Sequence, residues 1–359
     1  MKVAVVLASA IRVAPYAAHY VAAIQAAGHE PVIICWERGH ASHDERTPAP
    51  TTYEYCHEPR NTLDTIMGYW KYSRFLKRTF TQNDFCGAAF LTVQSALCGE
   101  LAGWRGPYMV DVRDKSHEGF PLYRRRVREV LAQADLVTMS SPGYSSWLPY
   151  DVSRAIYLPN YYGTAVADAG PATGRRAIAI CYVGLSAGDF STYLPVVEAV
   201  STRRDITLRF IGTGWPQSSL ANYCRRHHKT NVEFYGTFTD RDKSEWINRS
   251  TAVLGRLGDK TMGLPNRLYD AASAVRCYLC SDDTYSGQYA LQSGVGEVFD
   301  TKRPETILYA VNRCTARLGS DELSQRCKAF LVGEYEAVTR GRQRIATVVE
   351  TWCSMRRMS

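Results

Sequence analysis

Apolar residues in this chain come in short unbroken runs, separated by stretches of helical spacing. In the first half the runs are "KVAVVLAS", "EPVIICWE", "FCGAAFLTV", "YMVDVRD", "DLVTMSS" and "AIYLPN". In the second they are "AIAICYVG", "ITLRFIGTG", "VEFYGTF", "TAVLGRL", "CYLCSDD" and "GEVFD". A strand with one wet face alternates apolar and polar side chains. A run of Val, Ile and Leu without alternation is a strand covered on both faces, as in a parallel sheet sandwiched by helices. The segments between agree: "YAAHYVAAIQAAGH" has helical spacing and closes on Gly28, a common C-terminal stop. The grammar occurs twice, so the pattern predicts an α/β chain of two doubly wound, Rossmann-like domains. Such a pair implies a cleft between them, with ligands at the carboxyl ends of the strands. "YYGTAVADAGPATGRR", rich in Gly, Ala, Thr and Pro, reads as a linker. The predicted bounds are 1–162 for the first domain, 163–176 for the linker and 177–340 for the second. Helical periodicity from Ser324 to Trp352 predicts a terminal helix, its last part (341–359) packing back on the first domain.

Composition narrows the picture. A length of 359 residues suits two domains, and 45% hydrophobic with 22% charged residues fits a folded globular chain. No apolar run is long enough to cross a bilayer, and "MKVAVVLAS" is too short and strand-like for a secretory signal. The expected location is therefore the cytoplasm, with peripheral contact to a membrane left open. Most of the eleven cysteines lie inside apolar runs, the pattern of buried thiols in a reducing compartment. The one CxxC, Cys277 and Cys280, falls in a strand, where residues three apart face opposite ways. The net charge of +8 suits acidic partners: phosphorylated small molecules, an anionic membrane surface or nucleic acid. No nucleic-acid module is recognisable, so nucleic acid is not an expected partner.

A dinucleotide enzyme is the first guess for such a fold, and placement rejects it. "IGTGWPQSS" has Gly212 and Gly214 but no third glycine, and it follows the second strand of its half. The turn after the first strand, "LASAIRVAP", has no glycine at all, whereas the fingerprint needs strand, GxGxxG and helix in that order. Asp240 and Asp242 in "TDRDK" could hold a metal. The competing reading is a helix start, capped by Thr239 or Asp240, whose first-turn acids suit the dipole. No His/Cys/Asp cluster has metal-ligand spacing, so no metal and no cofactor is expected. The charge of a diphosphate would then fall to Arg, Lys and backbone N–H groups.

"GLPNRLYDAASA" offers the place. A proline opens a helix and Arg267 sits in its first turn, where the helix dipole disfavours a cation by roughly 0.3–1 kcal/mol. One reading pairs Arg267 with Asp270 on the same face. The other puts a ligand's diphosphate against the free N–H groups and the guanidinium together. Arg256 and Lys260 stand on the glycine-rich stretch leading in, and Asn266 opens the helix. Three cations around one helix start favour the phosphate, and Asp270, a turn deeper, would then face ribose hydroxyls.

In this order and spacing, "PYMVDVRD", "ADLVTMSS", "YLPN", "YVG", "LRFIGTG", "NVEFYGTF", "LPNRLYDAASA" and "GVGEVFD" resemble a GT-B glycosyltransferase of the family 4 type, along essentially the whole chain. The resemblance implies a retaining, metal-independent transfer from a nucleotide-sugar, most simply a UDP-sugar, held by the second half. The acceptor, a glycan or a lipid-linked glycan of envelope, capsular or exopolysaccharide synthesis, would lie on the first half. It maps the ribose-holding acid onto Asp270 and the base and sugar loops onto Gly184, Gly236 and Phe238. Two departures stand out. Met262 replaces an acid often found eight residues before Asp270, and "YVGLSAGDFSTYLP" lacks the usual Arg and Lys that grip the diphosphate.

On the acceptor side, Arg12 follows the first strand and matches the arginine of a "DPRV"-like stretch of some members. Arg113, Asp114 and His117 in "DVRDKSHEG" end another strand, where they would orient an acceptor hydroxyl or the leaving phosphate. The competing reading is an Arg113–Asp114 structural pair with a solvated His117. His227 and His228 read as a solvated helix end. Two basic stretches, "YWKYSRFLKRTF" and "YRRRVREVL", are either solvated helix faces or a docking surface for anionic lipid. A catalytically degenerate binder of nucleotide-sugar or of a partner enzyme, and a sugar-nucleotide epimerase, remain alternatives.

Overall fold

Each of the twelve apolar runs forms a parallel strand in the computed structural model, which describes residues 1–38, 51–163, 178–184, 189–258 and 262–358. The chain divides into two compact units, Met1–Pro159 with Glu336–Ser359, and Asn160–Tyr335. Most of the predicted linker, residues 164–177, lies outside the described residues.

The first unit holds β1 (Lys2–Leu7), β2 (Glu30–Glu37), β3 (Thr51–Cys56), β4 (Phe85–Phe90), β5 (Tyr108–Val112), β6 (Leu136–Met139) and β7 (Ile156–Tyr157). Their order in the sheet is β3-β2-β1-β4-β5-β6-β7, all parallel. Helices α1 (Ala17–Ala26), α2 (Thr62–Gln82), α3 (Val93–Leu101) and α4 (Pro121–Gln133) connect them. Local sequence sets the starts. Asn61 accepts from the Asp64 N–H, Thr92 and Ser95 form a capping box, and Pro121 opens α4. The pattern missed only β3, "TTYEYC", whose side chains alternate between half-buried and exposed along the sheet edge. An edge strand keeps one face wet, so it lacks the continuous run by which the others are read.

The second unit repeats the plan with β8 (Ile178–Val183), β9 (Ile206–Ile211), β10 (Val232–Tyr235), β11 (Ala252–Leu254), β12 (Cys277–Ser281) and β13 (Gly296–Phe299), ordered β10-β9-β8-β11-β12-β13 and all parallel. Its helices are α5 (Phe190–Ser201), α6 (Trp215–Arg226), α7 (Asp240–Asn248), α8 (Asn266–Ser273), α9 (Tyr285–Gln292) and α10 (Pro304–Arg317). In both sheets the direction of winding reverses beside the first strand, between β1 and β4 and between β8 and β11. At such a switch point the loops part and leave a crevice at the carboxyl ends.

A final helix, α11 (Asp321–Met358), passes from the second unit into the first. Within the first unit Ile345, Val348, Val349, Trp352 and Cys353 share a core with Val3, Val5, Leu7 and Ala89. Trp352 Nε1 donates to Asp135 at 2.9 Å. All eleven cysteines are free thiols, and only Cys56, on the edge strand, is exposed. No helix among the described residues is long and apolar enough to cross a membrane.

Candidate functional site

Because the six strands of the second sheet run parallel, their carboxyl ends share one edge. The chain turns there at Gly184 after β8, Gly212 after β9, Gly236 after β10 and Gly255 after β11. Gly212 has φ 131°, and a Cβ on it would overlap the Gly184 carbonyl and lie 3.3 Å from the Phe238 ring. Gly184, Gly212 and Phe238 are therefore packed against one another without room for a side chain. Gly236 is exposed.

Arg267 reaches into this edge from the first turn of α8. Its guanidinium carbon lies 4.0 Å from the centroid of the Tyr182 ring. Its Nη2 is 3.2 Å from where a Cβ on Gly184 would stand. Tyr182 is fully buried at the end of β8, with Tyr193 donating to its hydroxyl at 3.3 Å. The Nη1 of Arg267 is buried and has no hydrogen-bond partner among the described residues. Helix α8 has no side-chain cap, since Pro265 supplies none, so the first-turn amides add their own positive end. Cation–π attraction offsets part of the cost, about 0.5–2 kcal/mol. A half-buried cation whose buried Nη1 is short of a partner among the described residues, beside an uncapped helix start, is a place that an anion would satisfy.

The other donor-side residues fall around it. Asn266 is exposed at the helix start, and Arg256 is half-buried just past β11. Burial, the main cause, pushes the Tyr193 phenol far up its scale, and Arg267 and Arg256 both act against that shift, so both cations lie near one phenol. Lys260 lies outside the described residues. Asp270 accepts from Lys243 of α7 at 3.1 and 3.3 Å, an ion pair made to a neighbouring helix. Asp242 is spent on a capping box with Thr239, the helix-start reading of that acidic pair. Met262 adopts φ 61°, a left-handed conformation that costs a non-glycine residue about 1–2 kcal/mol. Among the described residues no group of three or more His, Cys, Asp or Glu could hold a metal ion.

The candidates of the first unit separate into buried and exposed. Arg113 is 5% exposed and donates through Nε to Asp111 at 2.5 Å and through Nη1 to the Leu158 carbonyl at 3.3 Å. Asp111 is fully buried and accepts from Thr138 at 2.9 Å, and Thr138 bonds Tyr20 at 2.5 Å. Where the competing reading paired Arg113 with Asp114, the arginine is ion-paired with Asp111, because in a strand residues two apart share a face and neighbours do not. Asp114 and His117 are exposed, the imidazole 5.6 Å from the Tyr123 ring. Arg12, in a short 3-10 turn after β1, donates to Glu37 at 3.0 Å.

No family model matches the chain, and no curated protein matches it by sequence. Solved structures do match in shape. The Anabaena protein HepE in complex with UDP superposes with TM-score 0.72 at 12% identity, covering 99% of this chain and 100% of that one. Sucrose-phosphate synthase from Thermosynechococcus elongatus gives 0.71 at 14% identity, covering 95% and 97%. WaaG, a glycosyltransferase involved in lipopolysaccharide biosynthesis, gives 0.65 at 12%, covering 96% and 99%. The fold is GT-B. Within this GT-B chain, two features of the edge were not legible from sequence. Tyr182 hides in an apolar run as one more core aromatic, and Lys243 sits in a helix that reads as an ordinary solvated face.

Proposed function

We propose that the chain is a glycosyltransferase that takes a sugar from a nucleoside-diphosphate donor, a UDP-sugar first, and moves it to a glycan or lipid-linked acceptor with retention of configuration. The observation that carries this reading is Arg267: a cation stacked on Tyr182, with a buried Nη1 lacking a partner among the described residues, at the uncapped start of α8. A diphosphate there would take Nη1 and the first-turn amides at once, charge-assisted bonds that are about twice as strong as neutral ones. Arg256 lies close enough to add to the clamp, standing in for the absent Arg and Lys after β8. Asp270, held by Lys243, would accept from ribose hydroxyls one turn deeper.

Catalysis on this reading is positioning plus stabilisation of the departing diphosphate, with the acceptor hydroxyl attacking from the face the diphosphate leaves. Arg12, Asp114 and His117 are the acceptor-side candidates that reach solvent. The charge is met by guanidinium groups and amides, so turnover in EDTA should equal turnover without it; loss of turnover restored by magnesium or manganese would overturn that part. Envelope or capsular polysaccharide synthesis is the proposed setting.

The strained Met262, where an acid often stands, favours one second reading: a binder without turnover. A thermal-shift screen against UDP-, GDP- and dTDP-sugars finds the donor, since ligand at a hundred times its dissociation constant adds about 2.7 kcal/mol. Slow release of free nucleoside diphosphate without acceptor supports the enzyme. Binding with no release at all supports the degenerate alternative.

A further inference from the structure

Four of the large apolar side chains that the first unit exposes lie together on α2. Leu63, Ile66, Met67 and Trp70 are exposed by 76%, 60%, 48% and 51%. Their spacing puts them on one face of α2. That face is not the core side, which is made by Gly68, Tyr72, Ser73, Leu76 and Thr79. Farther along the helix the same outer face carries Lys71, Arg74, Lys77 and Arg78, all exposed and none in an ion pair among the described residues. Arg74 lies 4.9 Å from the centroid of the Trp70 ring. The helix has one acid, Asp64, which is turned to His57 at 3.1 Å and to the Arg60 N–H at 2.9 Å.

The second basic stretch differs. In α4, Arg125 and Arg126 are paired with Glu129, and Arg126 also with Glu100, so those charges are already answered. Arg124 and Arg128 of the same helix are exposed outside those pairs, and the start of α4 adds Phe120 and Leu122, exposed by 69% and 80%. Each helix that follows a strand of a parallel sheet begins at the sheet's carboxyl edge. The apolar first half of α2 and the first turn of α4 therefore belong to the same edge of the first unit.

We propose that this edge docks on an anionic phospholipid surface. The apolar half of α2, with Phe120 and Leu122, enters the headgroup–acyl boundary, and the four cations of the second half meet lipid phosphates. Charge distribution argues against a second copy of the chain. In a two-fold contact the cations would lie either on each other or on the partner's apolar half. The docking is independent of the donor reading, because it is measured without nucleotide.

The test is co-sedimentation with phosphatidylcholine vesicles that contain or lack phosphatidylglycerol, at low and physiological salt. The wild-type chain should prefer the anionic vesicles by at least about tenfold, since each cation near such a surface adds attraction that salt screens. Changing Lys71, Arg74, Lys77 and Arg78 to glutamine should abolish that preference. Changing Leu63, Ile66 and Trp70 to serine should leave binding at low salt and remove it at physiological salt. Unchanged thermal melting and an unchanged far-ultraviolet circular dichroism spectrum show that both variants are folded. A wild-type chain indifferent to phosphatidylglycerol, or an apolar variant that binds like wild type at both salts, would overturn the proposal. So would a wild-type dimer that the serine variant breaks while vesicle binding is absent.

Discussion

Two arginines stand at the carboxyl edges of the two sheets, each stacked on a tyrosine, and they have opposite fates. Arg113 lies over Tyr16, 4.5 Å from the ring centroid, and spends its charge on the fully buried Asp111. Arg267 lies over Tyr182 at 4.0 Å and keeps a buried Nη1 with no partner among the described residues. The first is ion-paired within a chain of bonds that runs through Asp111, Thr138 and Tyr20. The second makes no ion pair among the described residues, and tyrosines are the groups that act on its charge. A cation closed by its counter-ion fixes a scaffold; an open one marks where an anionic ligand completes the structure. The carboxylate, not the arginine, makes the difference, because a buried cation with its counter-ion in place has no net charge left to attract an anion.

Breaking the closed side should have the largest effect. Arg113→Met leaves Asp111 buried and uncompensated, and removing one partner of such a pair costs about 3–5 kcal/mol. Urea unfolding should register that loss, while a midpoint close to wild type would mean the network is not closed. Converting both residues to apolar ones of similar volume should recover most of it, since no charge is then stranded.

A titrating group lies within reach of the same arginine's charge, and pH sharpens the contrast. His19 is fully buried and accepts from Arg342 at 2.9 Å. Burial, with Arg113 and Arg342 adding to it, keeps its pKa well below the usual value. The unfolded chain binds a proton near pH 6.5 and the folded chain does not, so stability is complete above about 6.5 and falls as pH drops below it. The slope is at most about 1.4 kcal/mol per pH unit. His19→Gln should therefore shrink the stability difference between pH 7 and pH 5 by about 1–2 kcal/mol, read by urea unfolding at the two pH values. An unchanged difference would assign the acid sensitivity elsewhere.

On the open side stability should hardly respond. Arg267→Met keeps the stem over Tyr182 and removes a cation from a helix start, so unfolding free energy should stay within about 1 kcal/mol of wild type or rise. A loss as large as that of Arg113→Met would make the two arginines alike and dissolve the comparison. The smallest effect belongs to Lys243→Gln. Its pair with Asp270 is about a quarter exposed on each side and should contribute roughly 0.2–1 kcal/mol to thermal stability.

How much of this was written plainly in the sequence differs between the two edges. Twelve strands were readable because burial on both faces leaves an unbroken apolar run, and β3 was hidden because an edge strand alternates. The exposed apolar stripe of α2 escaped notice because Leu63, Ile66 and Met67 precede the aromatic and basic stretch that drew attention, and spacing alone does not say which helix face is wet. Arg267 was legible from a local rule, the mismatch between a cation and a helix start. Its stacking on Tyr182 was not, since that contact joins residues 85 positions apart in the chain. The competing reading that paired Arg113 with Asp114 rested on adjacency, whereas the arginine bonds Asp111, two places back on the same face of the strand. The partner of Asp270 was likewise out of reach, because Lys243 lies on another helix.

The most direct test of the open site is calorimetric titration of UDP into the wild-type chain and into Arg267→Met. The account predicts binding to wild type and a loss of about 1.5–3 kcal/mol in the variant, the range for a hydrogen bond to a charged group, or roughly 10- to 150-fold in Kd. Wild-type affinity in a folded Arg267→Met would contradict it, and with it the placement of the diphosphate at the start of α8.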